Sequence, residues 1–567
     1  MVLIFAGWHY FYEAPRQEAL KAQMTEEQAL STSGAEPSSQ ISLPESQANN
    51  PQALQAQVPD IARPTLNRED ILDKDPRVSF STSHLTASLR LRGGRLDDLV
   101  LSQYRESLED GSPNVVLLAP AQSEKPYYMD FGWISPDPSL SLPNAQSIWT
   151  GAPHTDGKGA TLTWNNGQGL IFHRRISDAG DYLLRIEEEV SNQSNQTIVL
   201  YPYNLMARTG FAPNETMMTY EGPLGYFNEK LHEESYETLE EKSKVEYSTS
   251  GGWFGVTDKY WFTALIPDQN SDVKATFRHL KTNKNLNQYQ IDTVGPVQTL
   301  APGATLKVTS HVFAGAKIVS LLDQYETELG IKHFDLATDF GWFHFISKPL
   351  FYVLQYFNDV LGSFALAILL LTVIVKILFF PLANKSYRSM AKMKALAPQM
   401  ERIKERYGDN KVKMQQEIMA LYKKAKVNPA SGCLPMLLQL PIFFALYKVL
   451  IVSIEMRQAP FYGWIHDLSV PDPLNIFTLF GLIPWDPPSL LTLGLWPLIM
   501  GGTMLLQQKL NPPPSDPAQA KAFMFMPIIF TFLFARFPAG LVIYWTWSNI
   551  LSIIQQWFIM RTTNVKK

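Results

Sequence analysis

The sequence predicts a multi-domain α+β membrane protein: a large antiparallel β-sandwich domain joined to a polytopic α-helical membrane bundle. Two observations carry this prediction. Residues 1–340 hold 27 Lys and Arg against 43 Asp and Glu, whereas residues 341–567 hold 22 against 10, so an acidic half meets a basic half. Long apolar runs begin at that join, while short alternating runs separated by turn residues fill most of the acidic half. The mean hydropathy of -0.09 over 567 residues is thus an average of two unlike parts, and the chain is too long for one core. A lone cysteine, Cys433, excludes an intrachain disulfide and any paired-cysteine metal site.

Residues 1–14 include the apolar run Val2 to Tyr12, too short to cross a bilayer alone, and are expected to be the remainder of a first transmembrane segment with a truncated start. Residues 15–65 are rich in Gln, Ala, Ser, Pro and Glu, a composition that cannot bury enough apolar surface to order itself, and read as a linker. Residues 66–335 are expected to form the β domain. Leu85, Ala87, Leu89 and Leu91 alternate with polar residues before Gly93-Gly94, and Thr161 to Trp164 lead to Asn166-Gly167 before Leu170 to Phe172, two hairpin signatures. Tyr182 to Val190, Ile198 to Leu205 and Thr305 to Phe313 add strands. Ile318, Leu321, Leu322, Tyr325 and Leu329 then recur at helical spacing, predicting a helix packed on the sheet. The acidic runs Glu187 to Glu189 and Glu240-Glu241 read as solvated faces, and the Asn-x-Ser/Thr triplets at Asn192, Asn195 and Asn214 carry no functional weight by themselves.

Residues 336–360 are aromatic and interrupted by polar groups, the pattern of an amphipathic helix lying in the headgroup layer. Residues 361–383 form the clearest span, with Phe364 to Val375 unbroken by charge and then Lys376. Residues 384–427 carry twelve Lys and Arg against four acids, which marks the cytoplasmic side, and two apolar stripes around Gly408-Asp409-Asn410 predict a helical hairpin that Pro398 kinks or splits. Further spans are expected at 428–454, 490–506, 521–536 and 537–560, separated by an outer loop at 455–489 and a cytoplasmic loop at 507–520 and followed by a cytoplasmic tail at 561–567. Within the outer loop, Pro473 to Trp485 is apolar enough to dip into the interface. Five spans in the basic half and one at the front give six, with the β domain outside and both termini inside.

An ammonium facing lipid costs at least ~2.5 kcal/mol, so Lys376 is expected to face protein or a wet cavity. Thr372 lies one turn earlier on the same face. Trp545, Ser548, Ser552 and Gln555 form a polar stripe on the last span, with Thr546, Asn549 and Gln556 beside it. Together with Gln439 and Thr531 these residues point to an intramembrane groove holding one positive charge, although small polar residues also serve helix packing. Met390, Met393, Met400, Met414 and Met419 fit either a hairpin core or an adaptable apolar contact surface. No nucleophile elbow, phosphate loop or zinc helix is found, so no catalytic residue, metal or other cofactor is expected. His466-Asp467 lacks the third member of a catalytic set.

The strings SYRSMAKMKAL (Ser386 to Leu396), NPASGCLPMLLQLPIFFALY (Asn428 to Tyr447), RQAPFYGWIHDLS (Arg457 to Ser469) and FPAGLVIYWTWSNILSIIQQ (Phe537 to Gln556) resemble the YidC/Oxa/Alb family of membrane protein insertases. The likeness is specific across Phe340 to Arg561, and the six-span layout is similar to the bacterial two-membrane branch. The resemblance implies a periplasmic β-supersandwich, an interfacial helix, a cytoplasmic helical hairpin and five core helices around a hydrophilic groove in the inner membrane. It places Thr372 in that groove and Tyr544 or Trp545 on the substrate path. Most relatives carry an arginine where Lys376 aligns, which preserves the charge and loses the forked donor. The implied partners are nascent inner-membrane proteins, the Sec translocon, the ribosome with its signal-recognition machinery, and membrane lipids, with no DNA. Two rivals remain open at this point: a secondary transporter using Lys376 as a counter-ion, though no internal repeat is visible, and a sugar-processing enzyme on a membrane anchor. Lys448 and the insertion from Asn475 to Leu491 have no family explanation.

Overall fold

A computed structural model describes residues 68–564, apart from 211–218, 283–284, 342, 408–409, 426, 428–433, 480–481, 484, 486, 489–491 and 512–516. The first transmembrane segment and the linker expected at 1–65, and Cys433 and Asn214, lie outside the described residues.

The β domain is two facing antiparallel sheets. One has ten strands, its long path running Arg77–Ser81, Leu85–Arg90, Arg95–Arg105, Tyr127–Ile134, Ile198–Thr209, Asn287–Val294, Asp272–Lys281 and Lys244–Ser250. The other has nine, with Trp261–Ile266, Thr305–Ala316, Leu183–Asn192 and Leu170–Asp178 at its centre. Both predicted hairpins form. Leu85–Arg90 pairs with Arg95–Arg105 across Gly93 and Gly94, whose φ values of 85° and 67° give the left-handed turn only glycine adopts freely. At Gly94 a Cβ would also meet the Arg174 guanidinium and the Trp149 indole at 2.9 Å.

The reading of Glu187 to Glu189 as a solvated face needs correction. Glu188 is buried and stands directly opposite Arg174 on the neighbouring strand, where Arg174 Nε donates to its carboxylate. The same guanidinium donates to the Gly94 and Phe131 carbonyls, which belong to the other sheet side, so one fully buried arginine ties the two layers. Strand alternation explains the error: three consecutive acids cannot all face water when one face of the strand is core.

Two short helices, α1 (Arg68–Leu72) and α2 (Tyr236–Lys242), flank the sandwich, and α3 (Val319–Leu329) packs on it through Leu321, Leu322 and Tyr325 as its spacing predicts. A 3-10 turn at Phe334–Ala337 leads into α4 (His344–Leu361), which buries Phe351 and Leu354 and exposes Phe345, Tyr356 and Val360. Lys348 on α4 bridges Asp323 of α3 at 2.8 Å and Asp335 at 2.5 Å.

The remaining helices are α5 (Phe364–Leu378), α6 (Phe380–Ala395), α7 (Ala397–Tyr407), α8 (Lys411–Lys424), α9 (Leu434–Val452), α10 (Leu495–Leu510), α11 (Pro517–Phe534) and α12 (Ala539–Asn564). A second apolar core joins α4, α5, α9, α10, α11 and α12 through residues such as Leu354, Ile368, Leu371, Leu446, Met500, Phe534 and Val542. The span expected at 361–383 is not one straight helix: α5 and α6 meet at Phe379 with a bend of 66°. Pro381 lies in the first turn of α6, where its missing N–H is harmless, and that is where the chain restarts. No single described helix is long and apolar enough to cross a membrane; this bent pair passes only when its two members are taken together. Pro398 likewise falls in the first turn of α7, after a break at Leu396, so the helix splits there rather than kinking. Tyr422 of α8 donates to Met400 Sδ of α7 at 3.3 Å, holding those two helices together.

Candidate functional site

The bend at Phe379 moves Lys376 from mid-helix, where the apolar run suggested it, to the last turn of α5. A cation there meets the negative end of the helix dipole. Its Nζ donates to Ser552 Oγ of α12 at 2.8 Å and to Gln439 Oε1 of α9 at 3.3 Å. Gln439 Nε2 in turn donates to the Tyr544 hydroxyl, Ser552 Oγ donates back to the Ser548 carbonyl at 2.9 Å, and Gln555 Nε2 approaches the Lys376 carbonyl at 3.5 Å. Every one of these partners is neutral. No carboxylate pairs with Lys376 among the described residues.

Of the residues singled out from sequence, Lys376, Gln439, Tyr544, Ser548, Ser552 and Gln555 converge from three helices. Others fall elsewhere. Thr372 is buried one turn before Lys376, and its hydroxyl donates to the Ile368 carbonyl of its own helix at 2.7 Å. Thr531 bonds the Pro527 carbonyl at 2.8 Å and presses on Gly501 of α10, where a Cβ would meet its Oγ1 at 2.1 Å. Asn549 donates to Thr503 of α10 at 3.1 Å. Trp545 stands edge-on to Phe443, ring centres 4.6 Å apart. Tyr387 of α6, hydrogen-bonded to Ser552, was missed because nothing in a basic amphipathic stretch singles out one buried tyrosine.

Of the five methionines, Met390 and Met393 pack with Tyr387, Val427 and Ile559, and Met400 is buried as well. Met414 is half-buried, whereas Met419 is exposed. Asp467 accepts from Ser469 N–H and Oγ at 2.7 Å, an ordinary loop cap. Glu326, His333 and Asp335 bring ligand atoms within 4.8 Å of one another. Asp335 already receives the Lys348 ammonium, however, and its carboxyl is held down to about 2: bonds from His344 and Lys348 outweigh the upward push of burial. That position is taken by a protein cation.

Comparison with known proteins shows the family of the chain. Residues 77–353 match the family model described as the YidC periplasmic domain, and residues 356–567 match that of the 60Kd inner membrane protein. The membrane protein insertase YidC of Beijerinckia indica is 46% identical over 100% of this chain and 95% of its own length. Those of Bradyrhizobium diazoefficiens and Rickettsia bellii are 45% and 44% identical, over 100% and 98% of this chain and 95% and 96% of theirs. The chain belongs to the YidC membrane protein insertase family. Its two family segments meet inside α4, and the Lys376 network lies wholly in the second segment.

Proposed function

We propose that this chain is a non-enzymatic insertase of the inner membrane, receiving hydrophobic segments of nascent membrane proteins and releasing them into lipid. The observation that carries this reading is an ammonium held by a carboxamide and a hydroxyl, with no carboxylate paired to it among the described residues. Neutral partners satisfy its donors while leaving its charge uncompensated. At ~4 Å and an effective dielectric near 20, a carboxylate arriving there gains about 4 kcal/mol of attraction, which offsets part of its desolvation. An acidic flank of an incoming segment is thus drawn to Lys376 while the apolar segment slides along α5, α9 and α12 into lipid.

The finer topology belongs to the same proposal. Six spans put the β domain in the periplasm and both termini in the cytoplasm; exposed Ile377, Leu378, Ile529 and Phe558 suit lipid contact, and the aromatic face of α4 suits the headgroup layer. The α7–α8 pair, with Met414 and Met419 among its less buried residues, receives the nascent chain and the ribosome with its signal-recognition machinery, and the Sec translocon is the partner for larger substrates. The names carried by the relatives disfavour the transporter reading.

The test is insertion by full-length protein in liposomes of a single-span substrate with an acidic flank. Lys376→Glu should cut insertion by roughly tenfold or more, the cost of a like charge in a poorly solvated site, while Lys376→Arg should retain it. Full insertion by the Glu variant excludes the attraction.

A further inference from the structure

Lys448 stands in α9 among apolar residues, and the structure gives it a partner 109 positions away: its Nζ lies 2.7 Å from Asp339 Oδ2. Asp339 is the knot of three elements. Its Oδ2 also accepts the Tyr220 N–H from the segment leading into the strand Gly222–Phe227 of the β domain, at 3.0 Å, and its Oδ1 accepts the Gly341 N–H on the approach to α4, at 2.9 Å. Gly341 has φ of 70°, and a Cβ there would meet Lys448 Cε at 2.8 Å, so the lysine stem runs tight against the backbone. Lys317, buried in the β domain with its ammonium on Thr257 Oγ1 at 2.9 Å, lies close enough to act on both members of the pair. One turn below Lys448, Phe444 stacks parallel on Phe343, next to the first residue of α4.

These contacts pin the end of α9 nearest the β domain. Nine residues earlier, about 13.5 Å along the axis and half a turn round, the same helix carries Gln439. Between them Phe443 is wedged against Phe534 and Trp545. A helix held at one end by an ion pair and a ring stack, and packed along its length, presents its other side chains in one register.

We propose that Lys448 and Asp339 are positioning residues for the groove: their ion pair, where the β domain, the approach to α4 and α9 meet, sets the register of α9 and so aims Gln439 at the Lys376 ammonium. This rests on the groove reading above. The β domain is then mechanically part of the insertion site, and a partner that pulls on it changes how firmly Lys376 is held.

The test is a double-mutant cycle on full-length protein in liposomes, reading insertion of the acidic-flank substrate. Lys448→Met and Gln439→Ala should each lower insertion, by roughly threefold to tenfold, the range in which substitutions along a coupled network act. Because one acts through the other, the double variant should be no worse than the poorer single. Lys448→Arg, which keeps the charge on Asp339, should restore insertion, which a general loss of stability would not predict. Should Lys448→Met fail to fold, Asp339→Asn takes its place in the cycle. Multiplying losses in the double variant, or full insertion by a folded Lys448→Met protein, overturns the proposal. A Gln439→Ala protein that inserts normally instead removes the groove reading itself.

Discussion

The arginines inside the β domain and Lys376 in the helical bundle are partnered in opposite ways. In the sandwich, buried or half-buried arginines face carboxylates: Arg174 meets Glu188, Arg95 meets Asp130, Arg77 meets Asp97 and Arg278 meets Asp292. In the bundle, Lys376 rests on an amide and a hydroxyl. A paired charge is finished and serves the fold; a charge with neutral partners is free to attract one more group. Burial alone would not draw this line between the arginines and Lys376, since both kinds of cation are well covered.

The largest expected effect tests the scaffold side. Arg174→Met leaves Glu188 buried and alone and removes the tie to Gly94 and Phe131, which should cost about 3–5 kcal/mol of β-domain stability in denaturant unfolding. Adding Glu188→Gln should recover part of that loss. An Arg174→Met protein as stable as the parent would show that the pairing is incidental.

Next in size is a mirror image of Lys376. Glu455, just after α9, is half-buried with its carboxyl group covered and no cation paired to it among the described residues; Val319 N–H at the start of α3 reaches it at 3.4 Å. Burial pushes its carboxyl up to about 7, against the downward pull of its own N–H and that of Val319. Its folded value lies above the unfolded 4.5, so the associated stability is complete below about pH 4.5 and is lost as pH rises through 7. A shift of this size corresponds to about 3 kcal/mol. Unfolding of the full chain at pH 5 and pH 8 should show that difference, and Glu455→Gln should flatten it; equal slopes in both proteins would assign the pH dependence elsewhere.

Much of this contrast was legible in the chain. Alternation before Gly93-Gly94 and Asn166-Gly167 gave the hairpins, because register and turn are local properties. Lys376 stood out because a charge in an apolar run has few explanations, and the polar stripe of α12 marked the face turned toward it. The bend at Phe379 was harder to read: hydropathy continues through Pro381 while the backbone does not. Arg174–Glu188 hid inside an acidic run, where only the alternation of the strand distinguishes the inward acid from its neighbours. Asp339 and Lys448 could not be paired from sequence, since only the assembled fold brings residues 109 apart together.

The smallest effect is the most informative, because it isolates the charge. One single-span substrate, made with either acidic or neutral flank residues of matched size, is offered in liposomes to the parent protein and to Lys376→Gln. The parent should insert the acidic form about tenfold better than Lys376→Gln does, as expected of one lost charge contact, and the two proteins should insert the neutral form alike. An acidic-flank preference that survives Lys376→Gln would contradict an attractive role for the ammonium.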